Sequence, residues 1–313
     1  MIEVDAAEIN KILSYDDLIP ALKNAFGANI TVPTRQQLNY PNPQIGQDST
    51  LLFMPAWDNR EYLGVKIVTI SPENGQFDLP AIQGNYILYS VENGLPLALM
   101  DAKMLTVKRT AAASALASQF LSRADSKILL MVGTGALAPE MIRAHCSVRP
   151  IEEVLIWGRN FDKAQRVAEQ LKELDQKIYA VEDLNNAVSQ ADIISTATLS
   201  STPLIFGKAL HPGQHLDLVG AYRPDTCEAD DETIKKSTIF VDTRQVVFES
   251  GDIAIPIKNE IIQEDDVAAD LIGLCTGTEN GRKNDSEITL FKSVGHALED
   301  LTAAILIWRH KNI

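Results

Sequence analysis

The spacing of apolar positions changes character along the chain, and each change predicts a different kind of element. After a short strand-like opening, residues 15–26 repeat apolar side chains at helical spacing behind Ser14, a residue type that caps helix starts. Residues 31–50 are rich in Pro, Asn and Gln and read as a loop, which carries Arg35. Apolar runs follow at 51–57, 62–72, 81–91 and 96–102, separated by turn signals such as Asn59-Arg60 and Glu92-Asn93-Gly94. Strands so close together predict an antiparallel or mixed sheet. Residues 103–123 hold a run of small residues that suits a closely packed helix.

Beyond residue 125 strands alternate with helices. Strands are expected at 128–132, 154–157, 177–181, 192–198, 215–220, 238–242 and 288–294, with helices at 161–174, behind Asn160, and at 183–190. Residues 249–266 read as polar loop, with a helix then running to about 274 and the most loop-like stretch at 276–286. The alternation predicts α/β architecture with a doubly wound parallel sheet. A last amphipathic helix, 296–308, is expected to return and cover the first sheet.

Composition narrows the function. A hydrophobic content of 45% and a charged content of 22% over 313 residues give ample material for a core. A net charge of −14 argues against nucleic acid or an anionic membrane as partner, so any anion site must be locally basic. No window approaches the roughly 18 apolar residues of a membrane span. The start, MIEVDAAEINKIL, lacks a signal-peptide pattern, and a cytoplasmic protein is expected. Cys146, Cys227 and Cys275 have no metal-ligand spacing and read as reduced thiols, and the five histidines are scattered, so no metal is expected.

One stretch carries a specific chemistry. The run 128–132 leads into Gly133-Thr134-Gly135-Ala136-Leu137-Ala138, then a helix, then the strand 154–157. That context turns G-x-G-x-x-A into a dinucleotide site, with the pyrophosphate on the N–H groups and positive dipole end of the helix. An NAD site usually places an acid at the end of the second strand, roughly 20 residues on. Here Arg159 and Asn160 stand there, with no acid until Asp162, and a guanidinium suits a 2′-phosphate, so NADP(H) is favoured over NAD(H). Thr196, Thr198, Val219 and Gly220 fall at the carboxyl edge of the sheet, where such folds bind ligands, and Val294 and Gly295 end the last strand of this region. Two further cations stand out. Lys66 lies among apolar neighbours, either reaching a partner or facing solvent from an edge strand. Arg109, with Thr110, lies early in the helix 103–123, as a carboxylate clamp or as surface charge.

Several blocks in order, KRTAAASALAS (108–118), VGTGALA (132–138), IWGRN (156–160), VGAYRPDTCEAD (219–230), FVDTRQVVFESGD (240–252) and TLFKSVGHALEDLTAA (289–304), resemble the ornithine cyclodeaminase/mu-crystallin family. The resemblance spans essentially the whole chain. It implies a Rossmann-type dinucleotide domain, residues 119–294, inserted into a smaller α+β substrate and dimerisation domain, residues 1–118 plus 295–313, and a homodimer. It also implies that Arg35, Lys66 and Arg109 are the cations of the substrate site. Cyclodeaminases and the alanine dehydrogenase type carry Asp shortly after a strand-ending Gly-Ala or Gly-Gly, whereas this chain reads Gly220-Ala221-Tyr222-Arg223-Pro224-Asp225, as ketimine reductases do. The expectation is an NADPH-dependent reductase, with NADH as a weaker donor, acting on Δ1-pyrroline-2-carboxylate or Δ1-piperideine-2-carboxylate to give proline or pipecolate. Lys66 is the first candidate to supply the proton, with Tyr222 or water behind it. An amino-acid dehydrogenase or cyclodeaminase, and a non-catalytic NADP(H)-binding crystallin-like protein, remain as alternatives.

Overall fold

The computed structural model describes residues 1–43, 46 and 48–312, without the side chain of Pro72. The chain divides into two compact units, Met1–Thr110 with His296–Ile313, and Ala111–Gly295.

The first unit opens with β1 (Ile2–Val4), α1 (Ala6–Ile12), α2 (Tyr15–Phe26) and β2 (Ile30–Thr31). It continues with β3 (Gln36–Tyr40), β4 (Ser49–Asp58), β5 (Tyr62–Ile70), β6 (Ile82–Ser90), β7 (Pro96–Asp101) and the start of α3 (Ala102–Leu121). The sheet runs β1-β7-β6-β5-β4-β2, with β3 also on β4. Among the described residues, β1 on β7 is the one parallel pairing of this sheet and the others are antiparallel. The Ser14 hydroxyl accepts from the Asp17 N–H at 3.2 Å and starts α2, whose Leu18, Ile19, Leu22 and Phe26 are buried. The C-terminal helix, Ala297–Lys311, packs on α2, β4 and β5, so it does return to cover the first sheet.

Two features differ from the expectation. The opening is not only strand: Asp5 and Glu8 form a reciprocal capping box that starts α1, a signal present in the sequence as D-A-A-E. The loop expected at 31–50 holds β3, whose five residues are all exposed, so it lacks the apolar alternation that marks a half-buried strand. The pleat of β5 separates two faces. Gly64, Lys66 and Val68 are buried, while Leu63, Val65 and Ile67 are half-buried on the other face. There Pro55, Val65, Ile87 and Leu99 line up across four strands as an apolar row.

The second unit contains β8 (Ile128–Val132), α4 (Ala138–Val148), β9 (Glu153–Trp157), α5 (Phe161–Glu169), β10 (Lys177–Ala180) and α6 (Leu184–Gln190). Then come β11 (Ile193–Thr196), β12 (His215–Leu218), α7 (Asp231–Lys236), β13 (Thr238–Val241), α8 (Val246–Glu249), α9 (Gly251–Lys258), β14 (Val267–Asp270), α10 (Leu271–Thr276) and β15 (Thr289–Lys292). The order β10-β9-β8-β11-β12-β15-β13-β14 is parallel throughout. Leu130, Val132, Leu155, Ile194, Leu216, Val241 and Leu290 are buried in its core, as strands covered on both faces require. The chain winds from β8 through β9 to β10 in one direction and through β11 and β12 in the other, so the topological switch lies between β8 and β11.

The expected loop at 249–266 is instead largely helical. Ser250 caps α9 through the Asp252 N–H, and Pro256 inside the helix masked it in the sequence. The helix expected to end near 274 is a strand, β14, joined directly to α10, with Asp270 as the cap. Val267-Ala268-Ala269 before that cap reads as helix because nothing in a short apolar run fixes its period.

Candidate functional site

The carboxyl edge of the second unit's sheet gathers nearly every residue the sequence assigns to a dinucleotide. Gly133 follows β8 with φ +126°, and its N–H donates to the Trp157 carbonyl at 2.9 Å. A Cβ there would stand 2.7 Å from the Ala197 carbonyl oxygen, so only glycine lets the loops after β8 and β11 meet at the switch point. Gly135 is the opposite case: it is exposed, and no described atom lies within 4 Å of the place a Cβ would take. Ala136 is likewise exposed, Thr134 and Leu137 are half-buried, and Ala138 is buried where α4 begins. No described side chain caps α4; in its first turn the Ala138 and Glu140 N–H groups donate to the Gly135 and Leu137 carbonyls, each at 3.1 Å, and Pro139 has no N–H to give. Arg159 is exposed and engages none of the described residues, while Asn160 accepts from the Lys163 N–H at 3.0 Å and caps α5.

Buried carboxylates hold the neighbouring strand ends. Glu228 accepts from the Thr198 N–H at 2.7 Å, the Thr198 hydroxyl at 2.8 Å and the Gly220 N–H at 2.7 Å, tying the ends of β11 and β12 together. Burial raises the Glu228 carboxyl above the usual range, against the opposing pull of Lys292. Asp252 accepts from the Glu228 N–H at 2.7 Å and pairs with the fully buried Lys292 at 3.0 Å. Asp242 does the same for the end of β15, accepting from the Ser293 hydroxyl, the Val294 N–H and the Gly295 N–H at 2.9, 2.8 and 2.7 Å. Thr196 is fully buried and Val219 is 8% exposed beside these loops. Tyr222 is half-buried, its N–H on the Gly220 carbonyl, with its phenol pushed up by burial. The acid of that loop, Asp225, is turned to the surface against Arg223 at 2.6 Å.

The first unit builds an ionic set of its own. Lys66 and Arg109 are 3% and 5% exposed, so neither the edge-strand nor the surface-charge alternative holds. Asp300 takes Lys66 Nζ at 2.7 Å on one oxygen and Arg109 Nε at 3.0 Å on the other, and Glu299 accepts from Arg109 Nη1 at 2.6 Å. Lys66 also donates to the Thr106 hydroxyl at 3.3 Å. Arg109 lies beyond the first turn of α3, so its guanidinium carries the charge there without help from unpaired helix N–H groups. Burial lowers Lys66 to about 8, with Asp300 raising it and Arg109 lowering it further. Lys66 belongs to a row across five strands, Val4, Met100, Tyr86, Lys66 and Met54, all buried. The Tyr86 hydroxyl in that row has no hydrogen-bond partner among the described residues. Arg35, half-buried, directly precedes β3, which pairs with β4.

The sequence profile of the ornithine cyclodeaminase/mu-crystallin family matches residues 2–312. The chain belongs to this family. An uncharacterised protein of Schizosaccharomyces pombe is 44% identical over 317 residues, which cover 97% of this chain and 96% of that protein. A Δ1-pyrroline-2-carboxylate reductase of Colwellia psychrerythraea is 36% identical over 305 residues, 96% of each chain. Among solved structures, the Δ1-pyrroline-2-carboxylate reductase of Thermococcus litoralis, in complex with NADH and L-proline, superposes with a TM-score of 0.93 at 35% identity, covering 99% of this chain and 97% of that one.

Tyr86, Glu228, Asp242, Asp252, Glu299 and Asp300 are among the residues of these sites that escaped the sequence reading. All but Tyr86 lie inside the blocks that carry the family resemblance, and each of those acids stands beside apolar residues. An acid in an apolar setting is the available signal, because carboxylates are almost never fully buried unless paired. The open cradle at Gly135, at the carboxyl edge of the parallel sheet, fits the pyrophosphate of a nicotinamide dinucleotide.

Proposed function

We propose that this member of the ornithine cyclodeaminase/mu-crystallin family reduces the C=N bond of a small cyclic imine 2-carboxylate, Δ1-pyrroline-2-carboxylate or Δ1-piperideine-2-carboxylate, to L-proline or L-pipecolate. The observation that carries the reading is the buried pair of cations, Lys66 and Arg109, held on one carboxylate. Arg109, with Arg35, binds the substrate carboxylate through the guanidinium fork. Lys66 donates to the Thr106 hydroxyl and pairs with Asp300, and its ammonium passes one proton to the imine nitrogen, leaving a neutral amine that solvent recharges. Tyr222 or water is the second candidate donor. The bound dinucleotide supplies the hydride to the imine carbon. Positioning is the main catalytic task, since the reacting atoms must come to about 3–3.5 Å.

The dinucleotide is held by Gly133, Thr134, Gly135, Ala136, Leu137 and Ala138 at its pyrophosphate, by Arg159 and Asn160 at its ribose, and by Thr196, Thr198, Val219, Gly220, Val294 and Gly295 along the sheet edge. Exposed Arg159 supports NADPH over NADH as donor. The Thermococcus litoralis relative, solved with NADH and L-proline, supports a cyclic imino acid as the ligand class. Tyr222, in place of an acid, and Asp225, turned to Arg223, both count against cyclisation of a diamino acid, which needs a carboxylate at the attacking amine. The half-exposed row Pro55, Val65, Ile87 and Leu99 supports a homodimer formed on that face of the first sheet.

The test follows NADPH absorbance with pyrroline-2-carboxylate, with piperideine-2-carboxylate, and with pyruvate plus ammonia, each repeated with NADH. Fast oxidation with a cyclic imine is expected. Turnover only with pyruvate plus ammonia overturns the reading in favour of an alanine dehydrogenase type. Tight NADPH binding without any turnover overturns it in favour of a binding protein.

A further inference from the structure

The ionic set of the first unit raises a question that substrate binding alone does not answer. Two like charges, Lys66 from β5 and Arg109 from α3, are buried against one another. A buried ion pair is a poor device for stability, because desolvating each ion costs on the order of several kcal/mol, and apolar residues would fill the space at less cost. What a shared carboxylate does supply is a fixed geometry and a fixed charge state. Asp300 provides both from the first turn of the C-terminal helix, where the macrodipole favours an anion. Its two oxygens are divided between the two cations, at 2.7 and 3.0 Å, so the spacing of Lys66 and Arg109 is set by the width of one carboxylate.

We propose that Asp300 is the positioning residue of this site: it spaces the ammonium and the guanidinium and keeps Lys66 charged so that it can donate a proton. The proposal rests on the reductase reading for its chemistry. The groups facing Lys66 are Asp300 and Glu299 from the C-terminal helix, Arg109 and Thr106 from α3, and Tyr86 from β6. Of these, burial and Arg109 push Lys66 toward its neutral form, and Asp300 opposes them first and Glu299 less. Asp300 itself stays ionised: burial acts to raise it, but Lys66 and Arg109 together hold it below the usual carboxylate range. Lowering the charge on Asp300 therefore discharges Lys66 at a lower pH, and the site loses its donor while keeping its clamp.

The experiment compares wild type with Asp300→Asn, which keeps the outline and removes the charge. In the imine assay the basic limb of kcat/KM, set by Lys66 losing its proton near pH 8 in wild type, should move down by about one pH unit or more in the variant. At pH 7 a one-unit move takes the charged fraction of Lys66 from about 0.9 to about 0.5, so kcat should fall about twofold, and about tenfold for a two-unit move, with the NADPH Kd held within about twofold. In parallel, 13Cε-lysine NMR of the NADP+-bound enzyme reads the Lys66 titration directly, whether or not the imine is the substrate. A folded variant whose limb and Lys66 resonance both stay at wild-type positions overturns the proposal and leaves Asp300 a structural residue. If Asp300→Asn does not fold, Asp300→Glu, which keeps the charge but moves the carboxylate from its place 2.7 Å from Nζ, decides: a Lys66 titration displaced from its wild-type position is expected, and one that is unchanged overturns the proposal. Absence of imine turnover in wild type would sink the reductase reading alone, since the NMR titration still tests Asp300.

Discussion

Gly133 and Gly135 are neighbours in one loop, yet the structure gives them opposite sensitivities to the same methyl group. At Gly133 the backbone has φ +126° and a Cβ would lie 2.7 Å from the Ala197 carbonyl oxygen. Holding alanine in that region costs about 1–3 kcal/mol, and overpacking against a backbone atom adds a similar about 1–3 kcal/mol. Gly133→Ala should therefore lose roughly 2–6 kcal/mol of stability. At Gly135 no described atom lies within 4 Å of the added carbon. Gly135→Ala should leave stability unchanged or raise it by about 0.4–1 kcal/mol, by stiffening the unfolded chain. The same methyl occupies the space proposed for the pyrophosphate. Losing one charge-assisted hydrogen bond of about 1.5–3 kcal/mol weakens NADPH binding roughly ten- to a hundredfold. Urea denaturation followed by tryptophan fluorescence reads the first quantity, and NADPH titration calorimetry reads the second. Wild-type NADPH affinity in Gly135→Ala would remove the loop as the pyrophosphate seat, and wild-type stability in Gly133→Ala would contradict the close approach at the switch point.

Arg159→Ala should weaken NADPH about ten- to a hundredfold while leaving NADH within about twofold, read as separate Kd values; equal losses for both would mean that Arg159 does not recognise a 2′-phosphate. Glu228→Gln places an amide donor against the Thr198 or Gly220 N–H, so a loss of about 1–3 kcal/mol is expected together with a raised KM for the dinucleotide but not for the imine. An unchanged dinucleotide KM would separate Glu228 from the cofactor site. Val65→Asp puts a charge into the half-exposed apolar row of the first sheet and should convert a dimer to a monomer by light scattering. A dimer that persists would put the interface elsewhere.

The second unit was legible in the sequence because each of its signals is local. The loop 133–138, the strand before it and Arg159 after the next strand are read within about 30 residues, the length of a βαβ unit. Its far end was not, because α9 carries an interior proline and β14 runs into α10 without a break in the apolar pattern. The first unit was harder. Lys66 and Arg109 were visible as cations in apolar surroundings, but their partners Glu299 and Asp300 lie about 190 residues beyond Arg109. No periodicity or spacing rule connects positions that far apart. Glu228 was hidden for a related reason: it serves two strand ends at once, and sequence order gives no hint that those ends meet.

The return of the C-terminal helix has a consequence during protein synthesis. The second unit is one continuous segment, Ala111–Gly295, whereas the first is completed by residues from His296 onward. Translation proceeds from the N-terminus, and domains generally fold as they emerge. The contiguous unit can therefore close while the earlier-made sheet still lacks both carboxylates that neutralise Lys66 and Arg109. Until those residues leave the ribosome, Lys66 on β5 and Arg109 on α3 have no counter-charge from that helix, and burying them is strongly unfavourable. A chain cut short before residue 296 is thereby marked: its first unit stays open, with apolar strands on display to chaperones and proteases.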